Sequence, residues 1–131
     1  MAIAEHYRVR GFYAGASRKV RYTPLEYRDT LGNIVPEKEV PTDTVIEFAK
    51  ESPGWETRAK ATLILGQRAE QRIPEILLQI CETDSDLEVR KSANEAFGAI
   101  TASDRVDVLE CGYARKWWEE HKTEVLQKLT P

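Results

Sequence analysis

The sequence predicts a mainly α-helical protein: an α-α hairpin solenoid of two repeats plus a closing helix, with a short N-terminal β-ribbon. The first observation is an internal repeat, because residues 55–66 align without a gap to residues 87–98 at an offset of 32. The second is an alternation of apolar and basic residues near the start of the chain. Four aligned positions are identical: Glu56 and Glu88, Arg58 and Arg90, Ala61 and Ala93, and Gly66 and Gly98.

Residues 1–40 are predicted to form a β-ribbon arm, and residues 41–131 a helical repeat domain. Tyr7 and Val9 alternate with arginines, as Val20 and Tyr22 alternate with basic residues further along. This period of two, with aromatic and β-branched residues, predicts two or three short strands. Residues 29–33 have the composition of a hairpin turn. A two-stranded ribbon is marginal alone, so we expect it to pack on the helices, on a second copy or on a partner.

The first helical hairpin is predicted at residues 42–52 and 55–68. The turn-forming sequence Ser52-Pro53-Gly54 separates its two helices. The second helix contains small residues such as Ala59 and Ala61, which allow two helices to approach closely. An apolar stripe on the first helix is formed by Val45, Ile46, Phe48 and Ala49.

The second hairpin is predicted to begin near Pro74, since proline is favourable in the first turn of a helix. Its second helix is expected at residues 87–100, and the spacing of Ser85 and Glu88 fits a capping box. Val106 and Leu109 begin a short helical turn, which leads to an amphipathic closing helix outside the 32-residue register. Apolar and aromatic residues recur in that helix every four positions: Tyr113, Trp117, His121, Val125 and Leu129.

The charge is unevenly distributed along the chain. The net charge of −3 argues against a general polyanion binder. Residues 1–30 nevertheless carry six basic and three acidic side chains, so a mildly basic arm precedes an acidic body. Charges also interrupt the N-terminal segment MAIAEHYRVR, where a signal peptide needs an apolar run. No segment approaches the about 18 apolar residues of a membrane span, and we expect a cytoplasmic protein.

Cys81 and Cys111 are the two cysteines. Cys81 lies on an apolar stripe at the position equivalent to Ala49, which is typical of a small core residue. A disulfide framework is not needed at this chain length, and a reducing compartment is expected.

The segment DSDLEVRKSANEAFGAI, residues 84–100, resembles a HEAT-like repeat of the short class first noted in phycobilisome lyases. The preceding unit is similar at Arg58 and Gly66, but Ser52 and Gly54 stand where that class has aspartates, which predicts a weak ladder of turn-to-arginine contacts. The terminal segment ARKWWEEHKTEV is similar to the tryptophan-bearing helix that often closes such arrays. The second unit matches the pattern at Asp84, Asp86, Val89, Arg90, Ala93, Ala96, Phe97 and Gly98.

The resemblance implies a helical-hairpin fold and, for most members, a protein-interaction scaffold. A minority of members are lyases, hydroxylases or DNA-repair glycosylases. Helical-repeat hydroxylases use paired His-Glu steps, whereas this chain has His6 and His121 and no His-Glu dipeptide. Cys111 has no histidine predicted nearby, and the sequence lacks a P-loop. We therefore predict a non-enzyme with no catalytic residues, cofactor or metal.

Two groups of polar and aromatic residues have alternative interpretations. Arg58 and Arg90 are expected to tie each inter-helix turn to its neighbour through Asp84 or Asp86, or else to present a row of cations to an acidic partner. Trp117 and Trp118 are about 100° apart on a helix. We expect Trp117 in the core, and Trp118 either at the edge of the core or in an exposed apolar patch.

The arm interleaves aromatic and basic residues, which suits stacking on single-stranded nucleic acid and also strand addition to a protein. Alternatively, its tyrosines pack on the helices and its arginines face water. The partner-binding residues predicted from the sequence are Arg8, Arg10, Phe12, Tyr13, Arg21, Tyr22, Tyr27 and Trp118.

The leading functional hypothesis is a non-enzymatic interaction or adaptor protein. It would bind another protein through the arm or through the face lined by the second and fourth helices. Because two repeats leave apolar surface to cover, a homodimer is also considered. The alternatives are nucleic-acid binding through the arm and, third, a small lyase-like enzyme, for which two repeats are short to enclose a large ligand.

Overall fold

The computed structural model describes residues 7–9, 25–103 and 111–131. The predicted fold class is confirmed: helical hairpins follow a short antiparallel ribbon. The predicted helical turn around Val106 and the predicted strand around Val20 lie outside the described residues. The helices are α1 (Thr42–Glu51), α2 (Trp55–Leu65), α3 (Ile73–Thr83), α4 (Leu87–Thr101) and α5 (Cys111–Gln127).

The ribbon has β2 (Tyr27–Asp29) in its centre, with β1 (Tyr7–Val9) and β3 (Ile34–Val35) antiparallel on either side. The predicted hairpin turn is confirmed between β2 and β3. The Asp29 carboxylate accepts hydrogen bonds from the backbone amides of Leu31 and Asn33. Gly32 adopts a φ of 87°, in the left-handed region that glycine tolerates best.

The two hairpins pack through α2 and α4, which lie side by side, with α1 and α3 on their outer sides. Gly66, at the end of α2, sits against the backbone of α4. A Cβ atom at this position would lie 2.9 Å from the Cα and 3.0 Å from the carbonyl oxygen of Ala96. The α2 helix ends at Leu65, one turn earlier than predicted, and Arg68 instead binds backbone carbonyls before α1.

The face lined by α2 and α4 is buried in its central part. Residues 59–62 of α2 are all buried, although consecutive helical residues point about 100° apart. On α4, residues 92–94 are buried in the same way. Leu87, Glu95 and Ala99 of α4 are exposed, so binding through this face stays a prediction.

The ribbon and the helices share one hydrophobic core. Tyr27 is 1% exposed, and its ring lies 5.7 Å from that of Phe48 in α1. Arg68 donates hydrogen bonds to the Val40 carbonyl at 2.8 Å and to the Glu37 carboxylate at 2.7 Å. Tyr27 thus packs the ribbon onto the helices, as one interpretation of the sequence proposed.

The closing helix α5 runs antiparallel to α3. Trp118 is 3% exposed, with its ring 5.8 Å from that of Phe97, so it lies in the core. Trp117 also contacts Phe97 but is only half-buried, and it stacks on His121 at 4.2 Å. The expected roles of the two tryptophans are therefore reversed, because the rotation of α5 about its axis turns Trp118 inward.

Two local predictions near the second hairpin are corrected. Asp86, not Ser85, caps α4, because its carboxylate accepts hydrogen bonds from the amides of Glu88 and Val89. The cysteines are also not independent core residues. Cys81, in the last turns of α3, forms a disulfide bond with Cys111, the first residue of α5. Each is on a different helix, and the antiparallel packing of α3 and α5 brings them together.

Candidate interaction groove

A groove of about 510 Å³ opens where the C-terminal ends of α1 and α3 lie next to each other. The groove is a consequence of the repeat, because the first helices of the two neighbouring hairpins end at the same edge of the array. We call it the α1–α3 groove. It is lined by Lys50, Arg58, Gln79, Ile80, Thr83, Asp84 and Ser85.

The floor of the groove is an ion pair between the two repeats. Nε of Arg58 lies 3.0 Å and Nη2 3.2 Å from the two carboxylate oxygens of Asp84. Nη1 of Arg58 donates to the carbonyl oxygen of Ser52 at 2.9 Å. The two side chains are 14% and 8% exposed. This bidentate pair confirms the contact expected for Arg58, and it holds the turn of the first repeat against that of the second.

The rim of the groove is polar and accessible. Lys50, Gln79, Thr83 and Ser85 are exposed. Within the part of the chain that the structure describes, Lys50 forms no ion pair, whereas Arg58 is neutralised by Asp84. The rim therefore offers an ammonium group, an amide and hydroxyl groups, a set that binds carboxylates and backbone carbonyls.

Arg90, the equivalent of Arg58, has a different role. Its Nε donates to the carbonyl oxygen of Cys81 at 2.9 Å. A carboxylate partner for Arg90 is not found among residues 7–9, 25–103 and 111–131. The two arginines consequently do not form a row of free cations.

The residues predicted from the sequence to bind a partner do not converge on a single described surface. Tyr27 is buried beside α1 and Trp118 beside α4, so neither ring is available to a partner. Arg8 lies in β1, opposite Arg28 of β2 in the strand register. The other five residues lie outside the described part of the chain: Arg10, Phe12, Tyr13, Arg21 and Tyr22.

The rim residues were not singled out from the sequence, although a signal for them exists. Lys50 is the next-to-last residue of α1 and Thr83 is the last residue of α3, and the repeat puts these two helix ends side by side. An exposed lysine or threonine at such a position is unremarkable alone. Only the pairing of the two hairpin ends marks it as part of a groove.

Neither a metal site nor a membrane-spanning helix is found among the described residues. In that part of the chain, no group of three or more histidine, cysteine, aspartate or glutamate residues is arranged to hold a metal ion. Nor does any described helix have the length and apolar character to cross a membrane.

Comparison with known proteins agrees with the geometry. Neither the curated proteins nor the solved structures contain a significant match to the chain. The family profile described as HEAT repeats matches residues 42–130, which takes in both hairpins and the closing helix. With that match over more than half of its length, the chain belongs to the HEAT-repeat family.

Proposed function

We propose that this chain is a non-enzymatic protein-interaction module that holds a polar, acidic segment of a partner protein in the α1–α3 groove. The observation that carries the proposal is the groove itself, with its fixed Arg58–Asp84 floor and the accessible Lys50 at its rim. HEAT repeats are generally protein-interaction modules and typically non-enzymatic, which supports the same conclusion.

The chemistry of the rim suggests what the partner presents. Lys50 attracts a carboxylate, and Gln79 and Thr83 have hydrogen-bonding groups for the backbone of an extended segment. Ile80 also lines the groove but is buried, so the accessible contacts are mainly polar. Because the middle of the α2–α4 face is buried, the groove is the better supported of the helical surfaces.

The test compares two charge-reversal variants of the full chain, Lys50→Glu in the groove and Lys116→Glu on the exposed side of α5. Each is used as bait in a nuclease-treated lysate, and captured proteins are identified by mass spectrometry. We expect one partner to be captured by the wild type and by Lys116→Glu, and lost at least about tenfold with Lys50→Glu. Thermal unfolding of both variants confirms that they are folded.

The other outcomes address the alternatives. A partner that binds Lys50→Glu normally contradicts the groove proposal. Loss of a partner on changing Arg8, Arg10 and Arg21 to alanine would instead assign recognition to the arm. Material retained only without nuclease, with steep salt dependence, would favour nucleic acid. No contact among the described residues favours nucleic-acid binding or a lyase-like activity.

A truncation of the arm is a poor test of these alternatives. Leu25, Tyr27 and Val40 all belong to the shared core, so a chain that begins near position 40 would lose part of that core. Substitutions of arm arginines leave the described core intact and are preferable.

A further inference from the structure

We infer that Cys81 and Cys111 form a redox-responsive latch that controls how firmly the first half of α5 is held against α3. The disulfide joins the C-terminal part of α3 to the first residue of α5. Its Cα atoms are 5.9 Å apart, a usual separation for a disulfide. This inference does not depend on the proposed groove.

The two ends of α5 are attached in different ways. At the C-terminal end, Gln71 donates from its side chain to the carbonyl of Leu126 at 2.7 Å, and Thr130 forms two backbone hydrogen bonds with the loop before α3. At the N-terminal end, the covalent link is Cys111. Beyond Cys111, Ala114 is buried in the core, and Arg115, itself partly exposed, binds Glu75 and Glu82. Loss of the disulfide therefore affects mainly the first half of α5.

The reduced state also has a place in this structure. On reduction the two sulfurs move apart to a non-bonded separation, and the Cys81 carbonyl oxygen, 3.0 Å from Sγ of Cys111 in this structure, is an acceptor near the freed Cys111 thiol. The same carbonyl is held by Nε of Arg90. Reduction thus replaces a covalent tie with a weak thiol hydrogen bond, which lets α5 separate from α3 more often.

The chemical step is thiol–disulfide exchange with a dithiol reductant. One thiolate of the reductant attacks a sulfur of the disulfide, forming a mixed disulfide and releasing one cysteine thiolate, which takes up a proton. The second thiolate of the reductant displaces the other cysteine sulfur, which is also protonated. Two electrons and two protons pass to the protein, and the reductant leaves as a disulfide.

Burial controls access to the bond. Cys81 is 1% exposed and Cys111 6% exposed, so a reductant reaches the sulfurs only when the first turn of α5 opens. Reduction and opening consequently promote each other. In the cytoplasm expected from the sequence, the glutathione pool would favour the dithiol form, and oxidation would fasten α5.

The experiment measures amide hydrogen exchange of the full chain, equilibrated with oxidised glutathione or with dithiothreitol, and resolved by peptide. We expect exchange in residues 111–118 to be at least about tenfold faster after reduction, with α1 and α2 unchanged. Cys111→Ser should match the reduced protein in both buffers. Intact mass and thiol titration of the native wild type establish which state is present, whether or not the variant folds.

Two results would overturn the inference. The first is a pair of thiols that stays free after equilibration with oxidised glutathione. The second is equal exchange in residues 111–118 for the oxidised and reduced protein, which would make the disulfide a passive link.

Discussion

In the first repeat, α1 and α2, the turn at residues 52–54 places no side-chain oxygen on the start of α2. In the second repeat, α3 and α4, Asp86 accepts hydrogen bonds from two amides in the first turn of α4. Asp84 in that turn accepts a further bond from the Asp86 amide, and at the same time it holds Arg58 of the first repeat. The aspartates of one turn therefore serve both repeats.

The equivalent arginines show the same asymmetry. Arg58 reaches forward to the second repeat, whereas Arg90 turns back to the Cys81 carbonyl of its own repeat. For an ion pair between neighbouring repeats, one repeat supplies the arginine and the next repeat supplies the aspartate. The first turn lacks aspartates, but the ion pair between the repeats still forms. It joins the arginine of one repeat, Arg58, to an aspartate of the following repeat, Asp84.

The largest difference is expected between Arg58→Ala and Arg90→Ala. Removing Arg58 leaves the Asp84 carboxylate mostly buried without its partner, so we expect a loss of about 2–3 kcal/mol in the free energy of unfolding. Among the described residues, removing Arg90 takes away one hydrogen bond to a carbonyl, at a cost of about 1 kcal/mol. Urea unfolding followed by tryptophan fluorescence measures both, and equal losses would contradict the asymmetry.

A second comparison uses two glycines of the first repeat. Gly66→Ala forces a methyl group against the backbone of Ala96, which cannot move without displacing α4, and should cost about 2 kcal/mol. Among the described residues, the Cβ added in Gly54→Ala has one neighbour within 4 Å, the end of the Glu56 side chain at 3.5 Å. We expect that variant to lie within about 0.5 kcal/mol of the wild type in the same unfolding assay.

The helix caps give a smaller effect with opposite signs in the two repeats. Asp86→Ala should lower the free energy of unfolding by about 1 kcal/mol, because two amides of α4 lose their acceptor. Gly54→Asp introduces a capping carboxylate at the equivalent start of α2. We expect it to raise the free energy of unfolding by about 0.3 kcal/mol. Thermal midpoints provide the measurement. A destabilising Gly54→Asp would show that the first turn cannot accept a cap.

A small, pH-dependent effect concerns the attachment of the second repeat to α5. The hydrogen bond from Arg115 holds the pKa of Glu75 below its ordinary value, and the charge of Arg115 acts in the same direction. Stability from this pair is therefore present above the ordinary pKa of the carboxyl group and is lost as the pH falls through the lowered value. Because the pair is partly exposed, we expect about 0.5 kcal/mol at most.

Unfolding midpoints at about pH 7 and about pH 3.5 test this prediction. The difference between the two pH values should be smaller in Glu75→Gln than in the wild type. Glu51→Gln, on the exposed end of α1, serves as the control and should keep the wild-type difference. A larger pH dependence in Glu75→Gln would reverse the assigned sign.

The sequence predicted the two hairpins well because Pro53, Gly54 and the repeat offset mark where the helices begin and end. It also named Asp84 among the acidic partners of Arg58. It could not choose between Ser85 and Asp86 as the cap, since both are capping residues and the choice shifts the helix by one position.

Other features depended on how α5 is placed. The burial of Trp118 and the pairing of Cys81 with Cys111 both require the rotation and direction of α5 against α3, and α5 lies outside the repeat register. The groove at Lys50 could not be predicted without knowing that the C-terminal ends of α1 and α3 lie next to each other. The basic and aromatic composition of the arm is more conspicuous in the sequence than single polar residues at the ends of helices.

The bridge between Thr130 and the loop after α2 has a consequence for how the chain unfolds. Thr130 accepts a backbone hydrogen bond from Gln71 and donates one to Ala69, each at 2.8 Å. In an open array, where each repeat contacts only its neighbours, one end can melt while the other stays native. Here the last residues are bonded to the junction between the repeats, so the second repeat cannot melt alone without releasing that junction. We therefore expect a single cooperative transition, with the calorimetric enthalpy equal to the van't Hoff enthalpy.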